Sequence, residues 1–149
     1  MHPRLPLLVA ASVLALLAFA VTAPASGTAR STVTIRSSQY GPVLFGGSNR
    51  ALYAFTRDPR GRSACYGACA ATWPPYLVRG ALAPGRGASR SLLGTTRRRD
   101  GTRQLTYAGR PLYYYAADPV GQVLCQNVRE FGGLWLVVRG SGALVRLPH

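Results

Sequence analysis

Leu52-Tyr53-Ala54-Phe55-Thr56-Arg57-Asp58-Pro59-Arg60-Gly61 returns sixty residues later as Leu112-Tyr113-Tyr114-Tyr115-Ala116-Ala117-Asp118-Pro119-Val120-Gly121. The same offset carries Cys65 onto Cys125, Val78-Arg79-Gly80 onto Val138-Arg139-Gly140, and Gly41 onto Gly101. The two tryptophans, Trp73 and Trp135, stand sixty-two apart. One such match is chance; several in one register are a duplication, and a repeat reorganises the reading of everything around it.

Working outward from the repeated stretch, each copy reads as a small β-meander. In the first copy Thr32–Arg36 alternates as a half-buried strand, Tyr40-Gly41-Pro42 turns, Val43–Phe45 is a second strand, Gly46–Asn49 a second turn and Ala51–Thr56 a third strand. In the second copy Leu92–Arg97 leads through the Asp100-Gly101 turn to Arg103–Tyr107, then Ala108-Gly109 and Leu112–Ala116. A closing strand follows in each, Tyr76–Val78 or Leu134–Val138, and a last one over Ala143–Leu147. Only Ala64–Thr72 has a helical look, one or two turns at most. The expected fold is mostly β: two tandem meanders of about 60 residues, 31–80 and 91–140, related by a pseudo-twofold and joined by the Gly-, Arg- and Ala-rich stretch Gly80–Ser91.

The start of the chain belongs to another compartment's chemistry. Met1–Arg4 is basic, Leu5–Val21 is almost uninterruptedly apolar, and Ala23-Pro24-Ala25-Ser26-Gly27 supplies small residues, the three-part layout of a secretory leader over residues 1–25. The expectation is a secreted, extracytoplasmic domain over 26–149 with no transmembrane span once the leader is removed. All eighteen basic residues are arginine, and the acids are Asp58, Asp100, Asp118 and Glu130. Without Arg4 the balance is seventeen against four, a formal charge of +13. In an exported protein the natural counter-charges are anionic wall polymers and lipid head groups rather than nucleic acid. GC-rich arginine codons and solubility are the first reading of such a bias, ahead of a dedicated polyanion site.

Alternation places Tyr53 and Phe55 on one strand face, and Tyr113 and Tyr115 on one face of the sister strand. They form either a stacking platform for a small ligand such as a sugar, or the core and the seam between copies, which is the commoner fate of aromatics. Asp58 and Asp118 are the equivalent carboxylates. As a pair they suit acid–base work on a glycan; each also opens Asp-Pro-x-Gly, the chemistry of a type I turn, in which the side chain bonds its own turn. Cys65 and Cys69, one helical turn apart, are placed for a disulfide, with Cys65–Cys125 the second choice and one thiol left over. Arg97-Arg98-Arg99 at a hairpin tip reads as a solvated cluster. The histidines are His2 and His149, with no Ser/His/Asp set, no phosphate-cradling loop, no lysine and no further soft ligands for a metal, so neither cofactor nor metal is expected.

Leu52–Asp58, Cys65-Tyr-Gly-Ala-Cys-Ala-Ala-Thr-Trp-Pro-Pro75, Leu93-Gly-Thr95, Arg99-Asp-Gly101, Leu105–Tyr115 and Phe131-Gly-Gly-Leu-Trp135 together resemble the predicted bacterial lipoproteins and secreted repeat proteins that carry a Tyr-x-aromatic-x-x-Asp motif. That resemblance implies an envelope location and a repeated fold, with no activity attached. The chain departs from it in lacking a lipid-acceptor cysteine, which implies a protein secreted free, and in having Cys125 where the family has a small or polar residue. The combined expectation is a non-enzymatic binding or structural module, any ligand site lying near Tyr53, Phe55, Asp58, Tyr113, Tyr115 and Asp118. The alternatives are a glycan hydrolase using Asp58 and Asp118, and arginine-mediated adhesion to anionic wall polymers or lipids.

Overall fold

The computed structural model describes residues 32–146; the expected leader lies outside them. The chain is mostly β. In order it forms β1 (Val33–Arg36), β2 (Val43–Gly46), β3 (Tyr53–Phe55), α1 (Ala68–Thr72), a 3-10 turn (Arg90–Leu92), β4 (Leu93–Arg97), β5 (Arg103–Tyr107), β6 (Arg110–Pro111), β7 (Val128–Glu130) and β8 (Gly133–Val137). The first hairpin, β1–β2, and its sister, β4–β5, are antiparallel pairs about sixty residues apart; Leu93↔Tyr107 takes the place of Val33↔Gly46 at the open end, the second hairpin being one residue longer. Gly101 takes φ +83° at the second hairpin's turn, a conformation that favours glycine.

The closing strands depart from the simple meander: each is given to the other copy. β3 of the first copy pairs with β8 of the second, Tyr53↔Val137, Ala54↔Leu136 and Phe55↔Trp135. Reciprocally, Tyr113 of the second copy bridges Pro75 of the first, Tyr114 N–H donates to Pro74 O at 2.9 Å, and Ala116 N–H to Thr72 O at 2.9 Å. Here the offset is sixty-two, since Pro75 stands opposite Tyr113 as Val137 stands opposite Tyr53. The structural register therefore follows the tryptophans, not the sixty-residue alignment of Val78-Arg79-Gly80.

Two expected strands shrink for a backbone reason. Pro74 and Pro75 have no N–H to give, so Leu112–Ala116 meets the first copy through the isolated bridges Tyr53↔Tyr113 and Pro75↔Tyr113 instead of a ladder, and Tyr76–Val78 is reduced to the bridge Leu77↔Gln104 with β5. The last expected strand is reduced to the bridge Val138↔Leu144, with Leu147 outside the described residues. β7, which the pattern did not suggest, forms the edge beyond β8.

Every residue of β2 and β3 is buried, so both faces of these short strands are covered. On one side Phe45, Tyr53, Phe55, Trp73, Tyr113, Trp135 and Val137 pack together; on the other Leu44, Leu52, Ala54, Leu105, Tyr107, Leu112 and Val138 do. Burial of a large apolar side chain contributes about 1.5–3 kcal/mol. The core is thus two layers divided by the exchanged strands, and neither layer belongs to one copy alone.

Candidate functional site

The centre of the seam is symmetric to the atom. Tyr53 N–H donates to Tyr113 O and Tyr113 N–H to Tyr53 O, both at 2.9 Å. Beside this pair the rings Phe55, Trp135, Trp73 and Tyr115 form one column. Phe55 and Trp135 stack at 4.1 Å and 7°, Trp135 and Trp73 at 4.1 Å and 3°, and Tyr115 lies 4.8 Å beyond Trp73. Tyr53 meets Trp73 edge-on at 5.2 Å, and Tyr113 meets Trp135 edge-on at 5.1 Å. The pseudo-twofold therefore passes between the two indoles. Offset and edge-on contacts of this kind add about 0.5–1.5 kcal/mol each beyond burial.

The repeated aspartates are tied across the same axis. Tyr53 Oη donates to Asp118 Oδ2 and Tyr113 Oη to Asp58 Oδ2, both at 2.6 Å. The second oxygen of each carboxylate accepts a backbone N–H six residues on, Ala64 at 2.7 Å for Asp58 and Leu124 at 3.0 Å for Asp118. This corrects the turn reading. The local turns are Phe55–Asp58 and Pro59–Arg62, the latter with Gly61 at φ +73°, and they are closed by backbone bonds. The carboxylates are left to clamp the loop neck and to reach the other copy. A short bond to a carboxylate is among the stronger kinds, and it holds the repeated motif to its counterpart.

Burial and these bonds set the ionisation of the group. Burial pushes the Asp58 carboxyl up to about 6, opposed by the hydroxyl of Tyr113, the Ala64 N–H and the charge of Arg98. Asp118 moves the same way for the same first reason, opposed chiefly by the Tyr53 hydroxyl. Both tyrosine hydroxyls are held far above their ordinary range, by burial and then by the facing carboxylates. They are proton donors throughout the physiological range.

The two halves differ beyond the axis. Tyr113 Oη also contacts Ser63 Oγ at 2.8 Å, and Ser63 accepts from Arg98 at 2.8 Å. Arg98 further donates to Gln104 Oε1 at 2.7 Å and Cys65 O at 2.9 Å, and it is only 4% exposed. The expectation of a solvated arginine run is wrong for Arg98: strand alternation turns it inward while Arg97 and Arg99 face out. The signal for it was the period, which the clustering of three identical charges concealed. In the sister half Tyr53 Oη instead receives Cys125 N–H at 3.4 Å. Trp73 Nε1 donates to Glu130 Oε2 at 2.8 Å, whereas Trp135 Nε1 has no partner among the described residues.

Cys65 and Cys69 form the expected disulfide, with Cα atoms 5.3 Å apart, and Cys125 carries a free thiol raised by burial. No group of three or more His, Cys, Asp or Glu placed to hold a metal ion forms among the described residues.

Of the six residues singled out in the sequence, the structure brings all to the seam. The faces of Tyr53 and Tyr113 are 0% exposed, Phe55 and Asp118 are buried, and Tyr115 and Asp58 are half-buried. Phe55 and Asp58 reach the wall of a cavity of about 150 Å³ shared with Arg60, Gly109, Arg110 and Pro111. A second cavity, about 410 Å³, opens where the loop after β3 meets the β4–β5 tip, between Arg62, Tyr66, Arg97 and Arg99.

These features define a class: a mostly β, internally duplicated module whose copies exchange closing strands and are pinned by reciprocal tyrosine–aspartate bonds. A family described as a secreted repeat of unknown function matches residues 34–76 and again 94–139, one match per copy. Together the matches cover more than half of the chain, and the protein belongs to that family. No curated protein and no solved structure matches it. No helix among the described residues is long and apolar enough to cross a membrane.

Proposed function

We propose that this protein is an exported, non-enzymatic module that binds an anionic component of the cell envelope, the duplicated core serving as its rigid support. One observation carries this reading. Sixteen arginines lie among residues 32–146, and the only ion pair among the described residues is Arg98 Nε to Asp100 Oδ2 at 4.0 Å. Three of the four acids are used inward: Asp58 and Asp118 on tyrosines, and Glu130 on an indole. The surface is therefore cationic without internal compensation. Such a field concentrates polyanions and is worth most at low salt. In this reading Tyr53, Phe55, Tyr113, Tyr115 and the two aspartates maintain the support.

The test is retention of the exported protein on a soluble glycerol-phosphate polymer and on an uncharged glucan across an ionic-strength series. The expected outcome is binding to the first alone, falling steeply as salt rises. Equal binding to both polymers, or none to either, overturns the proposal.

The hydrolytic alternative has one observation in its favour: Asp58, with its carboxyl raised to about 6, borders a cavity. Against it, that cavity's wall does not include Asp118, and both carboxylates already accept two hydrogen bonds. A glycosidase pair faces one bond from two sides, about 5–10 Å apart. Release of reducing sugar from envelope glycan by the wild-type chain, and its loss in Asp58→Asn, would revive this alternative.

A further inference from the structure

We infer that the cleft between the β4–β5 tip and the loop after β3, walled by Arg62, Arg97, Arg99 and Tyr66, is a binding site for the phosphodiester groups of an anionic polymer. The inference rests on the anion-binding reading above and gives it a place and a chemistry.

The cleft holds about 410 Å³, within the range of about 300–1,000 Å³ usual for ligand sites. Three exposed guanidinium groups stand around it, and none has a hydrogen-bond acceptor or acid partner among the described residues. The nearest carboxylate at the tip, Asp100, is engaged by the N–H and hydroxyl of Thr102 and by Arg98. Three like charges gathered on one concavity repel one another, and an oxyanion among them removes that repulsion.

The wall is also prepared in advance. The Arg98 and Arg99 guanidinium carbons lie 4.3 and 3.9 Å from the centre of the Tyr66 ring. Tyr66 Oη accepts the Arg99 N–H at 3.2 Å, which leaves its own proton to donate to a ligand. Arg98 is fixed from beneath by Ser63, Gln104 and Cys65 O, and the Cys65–Cys69 disulfide anchors the loop beside Tyr66. Side chains ordered before binding lose less freedom on binding.

The duplication itself supplies the strongest argument. At the positions sixty residues away from Arg97, Arg99, Arg62 and Tyr66 stand Ser37, Gln39, Gln122 and Gln126, every one uncharged. An arginine-rich composition scatters charge over both copies alike. Here one copy's hairpin tip and the facing loop are charged together, while the sister pair is neutral together. Discrete guanidinium groups around a hollow suit a tetrahedral phosphate, which remains ionised at any envelope pH. A concave cleft admits a single chain, whereas a flat bilayer surface would meet the rim only.

The experiment titrates the exported, disulfide-intact protein with a soluble glycerol-phosphate oligomer, and separately with phosphatidylglycerol vesicles. The site variant is Arg62→Gln with Arg97→Ser and Arg99→Gln, which imports the sister copy's residues. The control is Arg79→Gln with Arg86→Gln and Arg146→Gln, which removes the same charge elsewhere. Near-ultraviolet circular dichroism checks that both remain folded. Loss of three charge-assisted phosphate contacts predicts a Kd for the oligomer raised about thirtyfold or more in the site variant, against about threefold or less in the control. Equal losses in the two variants overturn the site and leave diffuse adhesion standing. Binding to vesicles alone, lost with the site variant, overturns the polymer assignment and names the lipid head group as the source. No binding by the wild-type chain overturns the site and the anion-binding reading together.

Discussion

Replacing Tyr53 and Tyr113 by phenylalanine tests the seam with little disturbance of packing. Each ring keeps its place, Tyr53 against Trp73 and Tyr113 against Trp135, and only a hydroxyl that donates to a carboxylate at 2.6 Å is removed. A hydrogen bond to a charged group contributes about 1.5–3 kcal/mol, so each single variant should lose about that much and the pair about 3–6 kcal/mol. Against a typical total of about 5–15 kcal/mol this is a large share. The two sites are bonded to each other through their backbones, so the double variant should also depart from additivity by about 0.5 kcal/mol or more. Urea unfolding of the oxidised protein, followed by tryptophan fluorescence, reads all four corners of the cycle. Tyr40→Phe is the control: its hydroxyl has no hydrogen-bond partner among the described residues, and it should stay within about 0.5 kcal/mol of the parent. If the double variant also falls inside that band, the tyrosine–aspartate bonds do not hold the copies together and the account of the seam fails.

The remaining predictions concern the same neighbourhood. Asp58 has its folded-state carboxyl raised from 3.8 to about 6, so its contribution to stability is fully present below the lower value and is lost as pH rises through the upper one. The Tyr113 hydroxyl favours the charged form; its removal in Tyr113→Phe should therefore cost more stability above about pH 7 than below about pH 4, and equal costs in paired urea titrations would contradict this. Arg98→Ala strands Gln104 Oε1, takes from Cys65 O the shorter of its two bonds and breaks the link to Ser63; a loss of about 3 kcal/mol or more is expected in thermal unfolding, with Arg98→Lys recovering only part. Thiol titration should find one reactive cysteine in the unfolded, unreduced chain and three after reduction, and reduction should cost about 2 kcal/mol because the loop closed is short. In Gly133→Ala the new Cβ would lie 2.6 Å from Phe55 Cε2, and overpacking of the ring column should cost about 1–3 kcal/mol in the same assay.

Much of this architecture can be read from local pattern. The strands at Thr32–Arg36 and Arg103–Tyr107, the turn at Asp100-Gly101 and the spacing of Cys65 and Cys69 each depend on a few neighbouring residues, and each appears in the structure, though β1 and β5 are not buried on alternate residues as a half-buried strand would be. Partnership across the chain is different. Nothing in Leu134–Val138 says that it will lie against Tyr53–Phe55 rather than its own copy, because the hydrophobic pattern fixes which face is buried and not which strand covers it. The one available cue was the sixty-two-residue spacing of the tryptophans, which marks where the register slips. The aspartates carry a competing local explanation: Asp-Pro-x-Gly satisfies turn chemistry so well that the sequence calls for no distant donor. β7 escaped notice because Val128–Glu130 is too short and too polar for periodicity to register.

A duplicated chain folded about its own twofold treats its residues unequally. On the axis residues meet their counterparts, Tyr53 with Tyr113 through their backbones and Trp73 with Trp135 through their rings, and these pairs must fit in both directions at once. Away from the axis a change in one copy has no reciprocal, and there the halves differ. Ser63 faces Tyr113 where Val123 stands in the sister loop, and Gln104 receives Arg98 where the sister strand has Leu44. The sister hairpin keeps only a neutral contact of the same kind, Gln39 Nε2 to Val123 O at 2.6 Å. Symmetry thus confines specialisation to the outer ends of the molecule, and the charged hairpin tip with its facing loop occupies such an end. A test of the proposed anion binding belongs there, since a substitution at Arg97 or Arg99 alters one surface, whereas any substitution on the axis alters the support of both copies.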